Sequence, residues 1–151
     1  VPFVVDHEVK YVREAIAKFY NSVEQVKLAY ILVTKRINTR FFQDKKNPLP
    51  GTIVDDVVTN PIKYDFFLIS QSVKQGTVAP TCYSVISDSM GLTPDKIQIL
   101  TFKMTHIYFN CSTTMRVPAP VQFAHKLAFL VSQSVHGSPT SNHLESLLYF
   151  L

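Results

Sequence analysis

Short β-rich runs alternating with Pro-initiated helical stretches predict an α/β domain whose mixed sheet is covered by helices. Three observations carry that reading. "KLAYILV" (27–33) is a continuous apolar run, the pattern of a buried strand. "TPDKIQILTFKMTHIYFN" and "VPAPVQFAHKLAFLVSQSVH" open near a Pro, which is pre-organised for the first turn of a helix. The chain has 151 residues and 46% hydrophobic content, enough for one domain with a true core, and its 4 Gly and 9 Pro are too few for a low-complexity chain.

Element by element, "DHEVKYVREAIAKFYN" sets Val9, Val12, Ile16 and Phe19 at helical spacing, with Asp6 as the expected N-cap. The strand at 27–33 runs into "TKRINTRFF" and a Pro-rich loop, "QDKKNPLPG". Strands are expected over 52–58 and 64–70, then a loop, "QSVKQGTVAP", and a strand near "TCYSVIS". In the last helix, Ala124, Leu127, Ala128, Val131 and Val135 share one stripe. Residues 137–151 read as a polar linker followed by an apolar tail, "LESLLYFL", and no internal repeat is present. The chain opens on "VPFVVDHEV" without an initiator Met, as expected of a piece of a longer polypeptide.

The net charge of +4 and pI near 9.1 are compatible with a polyanionic partner but do not establish one. Cys82 and Cys111 are too few and too far apart for a disulfide scaffold or a thiolate zinc site, and point to a reducing compartment. No apolar run reaches the roughly 18 residues of a membrane span, so no membrane partner is expected.

One stretch poses a chemical question. "GTIVDDVVTNPIKYDFFLIS" (51–70) sets Asp55 and Asp56 between apolar pairs in an expected strand. Strand neighbours point to opposite faces, so Ile53, Asp55 and Val57 share one face while Val54, Asp56 and Val58 share the other. If both faces are covered, one acid needs a cation, a metal or a donor. Alternatively one face is wet, or the acids lie just past the end of the strand.

Three further constellations carry possible chemistry. Lys35, Arg36 and Arg40 follow a core strand, a rigid mount for gripping phosphates, or else form a solvated basic turn. Gln71, Lys74, Gln75, Gly76 and Thr77 combine polar donors with a Gly that lets a sugar–phosphate backbone approach, or form an ordinary loop. His125 borders the apolar stripe of the last helix and is a candidate metal ligand or proton donor, the alternative being a half-exposed residue with no such role.

The blocks "TKRINTRFF", "GTIVDDVVTNPIKYDFFLISQSVKQGTVAPTCYSVISD", "IQILTFKMTHIYFNCSTTMRVPAPVQFAHKLAF" and the terminal "LYFL" resemble the C-terminal part of the PIWI domain of Argonaute proteins, over nearly the whole of 1–151. The germline PIWI clade is the nearer likeness. The resemblance implies an RNase H-like α/β fold. It also implies guide (PIWI-interacting) RNA binding and cleavage of complementary target RNA, in transposon and gene silencing. In slicing members an Asp-Glu-Asp-His tetrad holds two divalent ions, Mg²⁺ or Mn²⁺. By this likeness Asp55 matches the third member and His125 the last. Asp55 would then be a buried carboxylate kept charged by metal, with Asp56 facing away.

Lys35, Arg36, Arg40, Gln71, Lys74, Gln75, Thr77, Tyr108 and Gln122 are, by the same likeness and the loop chemistry above, the expected RNA-binding set. Such contacts fix register, while base pairing reads sequence. The first Asp and the Glu of the tetrad precede this stretch in the family, so the 151-residue piece alone is expected to be inactive and to need the N-terminal remainder of the same polypeptide. Leu130 stands where the Argonaute clade has an Arg at the guide 5′ phosphate. In the PIWI clade a metal and the C-terminal carboxylate serve there, which makes Leu151 a candidate metal ligand. The rival expectation is a silencing module that binds guide RNA without cutting and recruits partners. The resemblance is compatible with cytoplasmic (germ-granule) or nuclear residence.

Overall fold

In the computed structural model, which describes residues 4–20, 27–135, 147 and 149, four strands form one sheet in the order β1-β4-β3-β2. They are β1 (Ala29–Thr34), β2 (Thr52–Val54), β3 (Tyr64–Ile69) and β4 (Thr81–Asp88). The three pairings are all antiparallel, so no parallel pair of the expected mixed sheet occurs among the described strands. Three helices accompany the sheet: α1 (Lys10–Tyr20), α2 (Pro94–Met104) and α3 (Ala119–Leu130). The α/β class expected from the sequence is the class observed.

The strand period of two puts Phe66 and Leu68 of β3 on one face, beside Tyr83 of β4. Phe66 stands directly across from Tyr83, with the rings stacked at 5.0 Å and 14°. The four buried residues Phe66, Leu68, Tyr83 and Ile97 form the core, and Ile31, Val33, Ile53, Val85, Leu92 and Phe102 pack around them. Burying each such large side chain is worth about 1.5–3 kcal/mol. Helix α2 covers this face because Ile97 and Phe102 point into it. It starts where the sequence predicts: Thr93 is the N-cap, its hydroxyl accepting from the Lys96 amide, and Pro94 follows.

Helix α1 differs from expectation at its start. A π-helical turn over Val4–Val9 precedes it, so Asp6 lies inside helical structure rather than capping it. Val9 and Ala17 are buried, whereas Phe19 is 92% exposed. Arg13 anchors the helix to the sheet by donating to the Ser87 hydroxyl at 2.8 Å, and the Tyr30 hydroxyl donates to Glu8 at 2.9 Å. Helix α3 runs on into a π-helical turn over Val131–Val135, matching the expected extent. Its stripe is not covered, however: Ala124 and Ala128 are exposed, and Ala119 is the helix's buried residue. Residue Leu151, and the linker and tail expected over 137–151 apart from residues 147 and 149, lie outside the described residues.

The strand expected over 52–58 stops at Val54. Asp56 ends it, because its carboxylate accepts from the Val57 amide at 2.7 Å, offering the backbone a local partner in place of the ladder. Val57 is then forced to φ 64°, a left-handed conformation that a β-branched residue rarely adopts. Asp55 and Asp56 are both exposed. The burial expected at Asp55 is therefore corrected: among the described residues it is an exposed acid just past a strand end.

Candidate nucleic-acid interface

The antiparallel ladder gives the sheet two chemically different ends. At one end lie the C-termini of β1 and β3 and the N-termini of β2 and β4, since Thr34 pairs with Cys82, Leu68 with Thr81 and Thr52 with Ile69. Every loop leaving this end carries residues expected to touch RNA. Lys35, Arg36 and Arg40 follow β1, while Gln71, Lys74, Gln75 and Thr77 follow β3. Topology thus gathers at one edge two groups that are more than 30 residues apart in sequence.

Side-chain hydrogen bonds lock these loops together. The Asn47 amide donates to the Gly76 carbonyl at 2.9 Å and accepts from the Val78 amide at 3.1 Å, tying the first loop to the second. Gln71 donates to the Thr114 carbonyl at 2.7 Å, and the Thr114 hydroxyl donates back to the Ser70 carbonyl at 2.8 Å. Ser70 and Thr81 hydroxyls donate to the Met115 and Arg116 carbonyls at 2.7 and 3.0 Å, which joins the segment before α3 to the same end. Gln71 is consequently half-buried in a structural bond, whereas Arg36, Arg40, Lys74, Gln75 and Thr77 are exposed and available to a ligand.

Sequence reasoning missed Arg116. Its guanidinium donates to the carbonyls of Lys35 and Pro80, the latter at 3.0 Å, and its Nε is buried without a partner among the described residues. Burial, and then the neighbouring Arg40 charge, disfavour its protonated form. Burial also pushes the Tyr83 phenol up, with Arg116 acting weakly the other way. Arg116 lies within "TTMRVPAP", where only its place before a Pro-initiated helix could have drawn notice; its partners are long-range and invisible in sequence. Among the described residues, the one ion pair is Lys10–Glu14 on α1, so none of the cations at this end is spent on a carboxylate.

Two predicted residues sit differently from the rest. Tyr108 is buried, its ring 5.4 Å from that of Phe123 with the Lys126 ammonium 5.9 Å above it, so it supports α3 and does not offer an open face. Gln122 is half-buried on the first turn of α3.

The opposite end of the sheet is acidic. Asp55 accepts from Gln98 Nε2 at 2.8 Å, and the same amide group reaches the Tyr64 hydroxyl at 3.1 Å. A cleft of about 340 Å³ opens here, lined by Asp55, Asp56, Asn60, Lys63 and Asp65 among others. Burial raises the Tyr64 phenol, the Gln98 hydrogen bond lowers it, and the Asp55 and Asp95 charges raise it further. His125 is exposed on α3, whose start is fixed to the Ser70 end, while Asp55 is fixed to the Tyr64 end. Asp55 directly follows Val54, the β2 residue paired with Phe67 of β3. Among the described residues no group of three His, Cys, Asp or Glu side chains is placed to hold a metal ion.

The Piwi domain family model matches residues 1–136. The chain belongs to the Piwi domain family. Siwi, a Piwi-like protein of Bombyx mori, is 54% identical over the whole of this chain, which spans 17% of Siwi's length. The crystal structure of Drosophila Piwi superposes with a TM-score of 0.88 at 50% identity, covering 100% of this chain and 22% of that one. The structure of Kluyveromyces polysporus Argonaute with a guide RNA shares the fold, with a TM-score of 0.74 at 24% identity over 98% of this chain and 22% of that one. The RNase H-like expectation for the fold is thereby met, and this Piwi-domain chain is similar to the PIWI clade, as its motifs imply.

Proposed function

We propose that this chain forms part of the guide-RNA-binding surface of a PIWI-clade Argonaute that acts in RNA-mediated silencing. One observation carries the reading: Lys35, Arg36, Arg40, Lys74 and Arg116 converge on one end of the sheet, and among the described residues none is paired with a carboxylate. Cations mounted on interlocked loops at strand ends suit a phosphate backbone, which is gripped without reading bases. A relative by fold, the K. polysporus Argonaute, is described with a guide RNA.

Target cleavage belongs to the complete polypeptide in this reading. The described residues hold no group of three possible ligands, so no cleavage step is assigned to them; Asp55 and His125, an exposed carboxylate and an exposed imidazole, are the residues of this chain that would join Mg²⁺ or Mn²⁺ ligands supplied from elsewhere. Leu151 keeps its proposed part through the terminal carboxylate. Binding of unrelated single-stranded RNAs by the complete polypeptide tests the reading. Arg36→Ala and Arg40→Ala should weaken all sequences equally, and each should lower the salt slope by about 0.7. A loss confined to one sequence, or none at all, contradicts it.

A further inference from the structure

We propose that Arg116 is a positioning residue for RNA binding, which clamps the segment Lys35–Arg40 onto the end of the sheet. The inference rests on the guide-binding reading and adds the device that shapes its surface. Lys35–Arg40 has no regular structure and leaves β1 at the last paired residue, Thr34. Such a segment wanders unless its carbonyls are held. Two guanidiniums hold it. From within, Arg40 Nη1 donates to the carbonyls of Ile37 and Thr39 at 2.9 and 2.7 Å, folding the loop on itself. From outside, Arg116 Nη2 donates to the Lys35 carbonyl and, at 3.0 Å, to the Pro80 carbonyl.

Arg116 is itself fixed. Its own carbonyl accepts from the Thr81 hydroxyl at 3.0 Å and the Ser70 hydroxyl at 3.3 Å, so strands β3 and β4 hold its backbone while its side chain reaches across to β1. The guanidinium is a planar fork with several fixed donors, and a lysine ammonium is a point charge on a flexible stem. Both bonds leave the one Nη2 nitrogen, which sits one bond farther from the backbone than a lysine ammonium, so reach along a rigid planar group, and not merely positive charge, decides. The clamp also keeps the guanidinium of Arg116 beside that of Arg40, with no carboxylate bonded to either among the described residues. Two like charges held together in this way favour a bound anion between or above them. Lys35, Arg36 and Arg40 thus depend on Arg116 for their placement.

The test uses the complete polypeptide and a labelled single-stranded oligoribonucleotide. Retention is measured against salt for Arg116→Lys, Arg116→Met, Arg40→Met and the Arg116→Met/Arg40→Met double variant. Amide exchange over 35–40 is followed without RNA. The expected results are that lysine fails as badly as methionine and that both speed exchange at 35–40. The salt slope should fall by about 2, three single-strand contacts at about 0.7 each, and Arg40→Met should add nothing once Arg116 is gone. Rescue by lysine would reduce Arg116 to a charge. A slope change near 0.7 with additive effects would make it one more phosphate contact. Faster exchange throughout β3 and β4, not confined to 35–40, would make it a fold support. Each of these three outcomes overturns the proposal. If RNA retention ignores Arg36 and Arg40 while exchange still responds to Arg116, the clamp stands and the guide-binding reading falls.

Discussion

Asp55 separates two accounts of the acidic end. The Gln98 side chain is only 6% exposed and donates to both Asp55, at 2.8 Å, and Tyr64, at 3.1 Å. Asp55→Ala removes one of these bonds, but water can replace an exposed acceptor and Tyr64 remains. The cost is about 1 kcal/mol, the usual net worth of one hydrogen bond and the low end of the 1–3 kcal/mol of stranding a buried donor. A change of that size raises local opening about fivefold. The assay combines amide exchange over α2 with guided cleavage of a complementary target by the complete polypeptide. If Asp55 serves only as an acceptor for Gln98, exchange over Ile97–Thr101 should rise about fivefold and cleavage should stay within a few fold of the parent. A carboxylate holding a catalytic metal behaves in the opposite way. Cleavage reduced a thousandfold would place Asp55 among the metal ligands, the role its likeness to the tetrad implies, and α2 exchange left unchanged would refute the hydrogen-bond argument.

Three further outcomes are expected. Val57→Gly should stabilise by about 1 kcal/mol, measured as slower exchange in the 55–63 loop, because Val57 sits at φ 64° and is 93% exposed, so relief of strain is not offset by lost packing. Gly51→Ala should destabilise by at least about 1 kcal/mol in denaturant melts, since Gly51 has φ 91° and a Cβ there would lie 3.3 Å from the Phe102 ring. Cys111 should be alkylated before Cys82 at every pH below full ionisation, read by mass spectrometry: the Thr113 hydroxyl and amide lower the Cys111 thiol, whereas burial chiefly raises Cys82, helped by the Asp65 charge.

The sequence was legible where local chemistry decides structure. Thr93-Pro94 fixes the start of α2, and the short β-rich runs at β1, β3 and β4 read as strands. It misled where a local bond overrides periodicity. The run from Ile53 to Val58 reads as one strand, yet the Asp56 carboxylate captures the next amide and ends it, so the argument for a buried acid at Asp55 disappears. The α3 stripe is apolar in sequence and uncovered in the described structure, because periodicity shows which face is apolar but not what covers it. The basic residues after β1 and β3 could be named from sequence, but their convergence depends on strand order. Arg116 could not be named at all, because its role lies in carbonyls 81 and 36 positions away.

Photo-crosslinking tests the central claim most directly. A single-stranded RNA carrying a photoreactive base at successive positions is bound to the complete polypeptide, irradiated, and the crosslinked peptides are mapped within residues 27–135. Crosslinks at 35–47 and 71–80 and around 114–122, reduced together in Arg116→Met, are the predicted result. Crosslinks concentrated at 55–64 and 88–98, where Asp55, Asp56, Asp88 and Asp95 lie, would contradict it, for the RNA would then be held at the acidic end of the sheet.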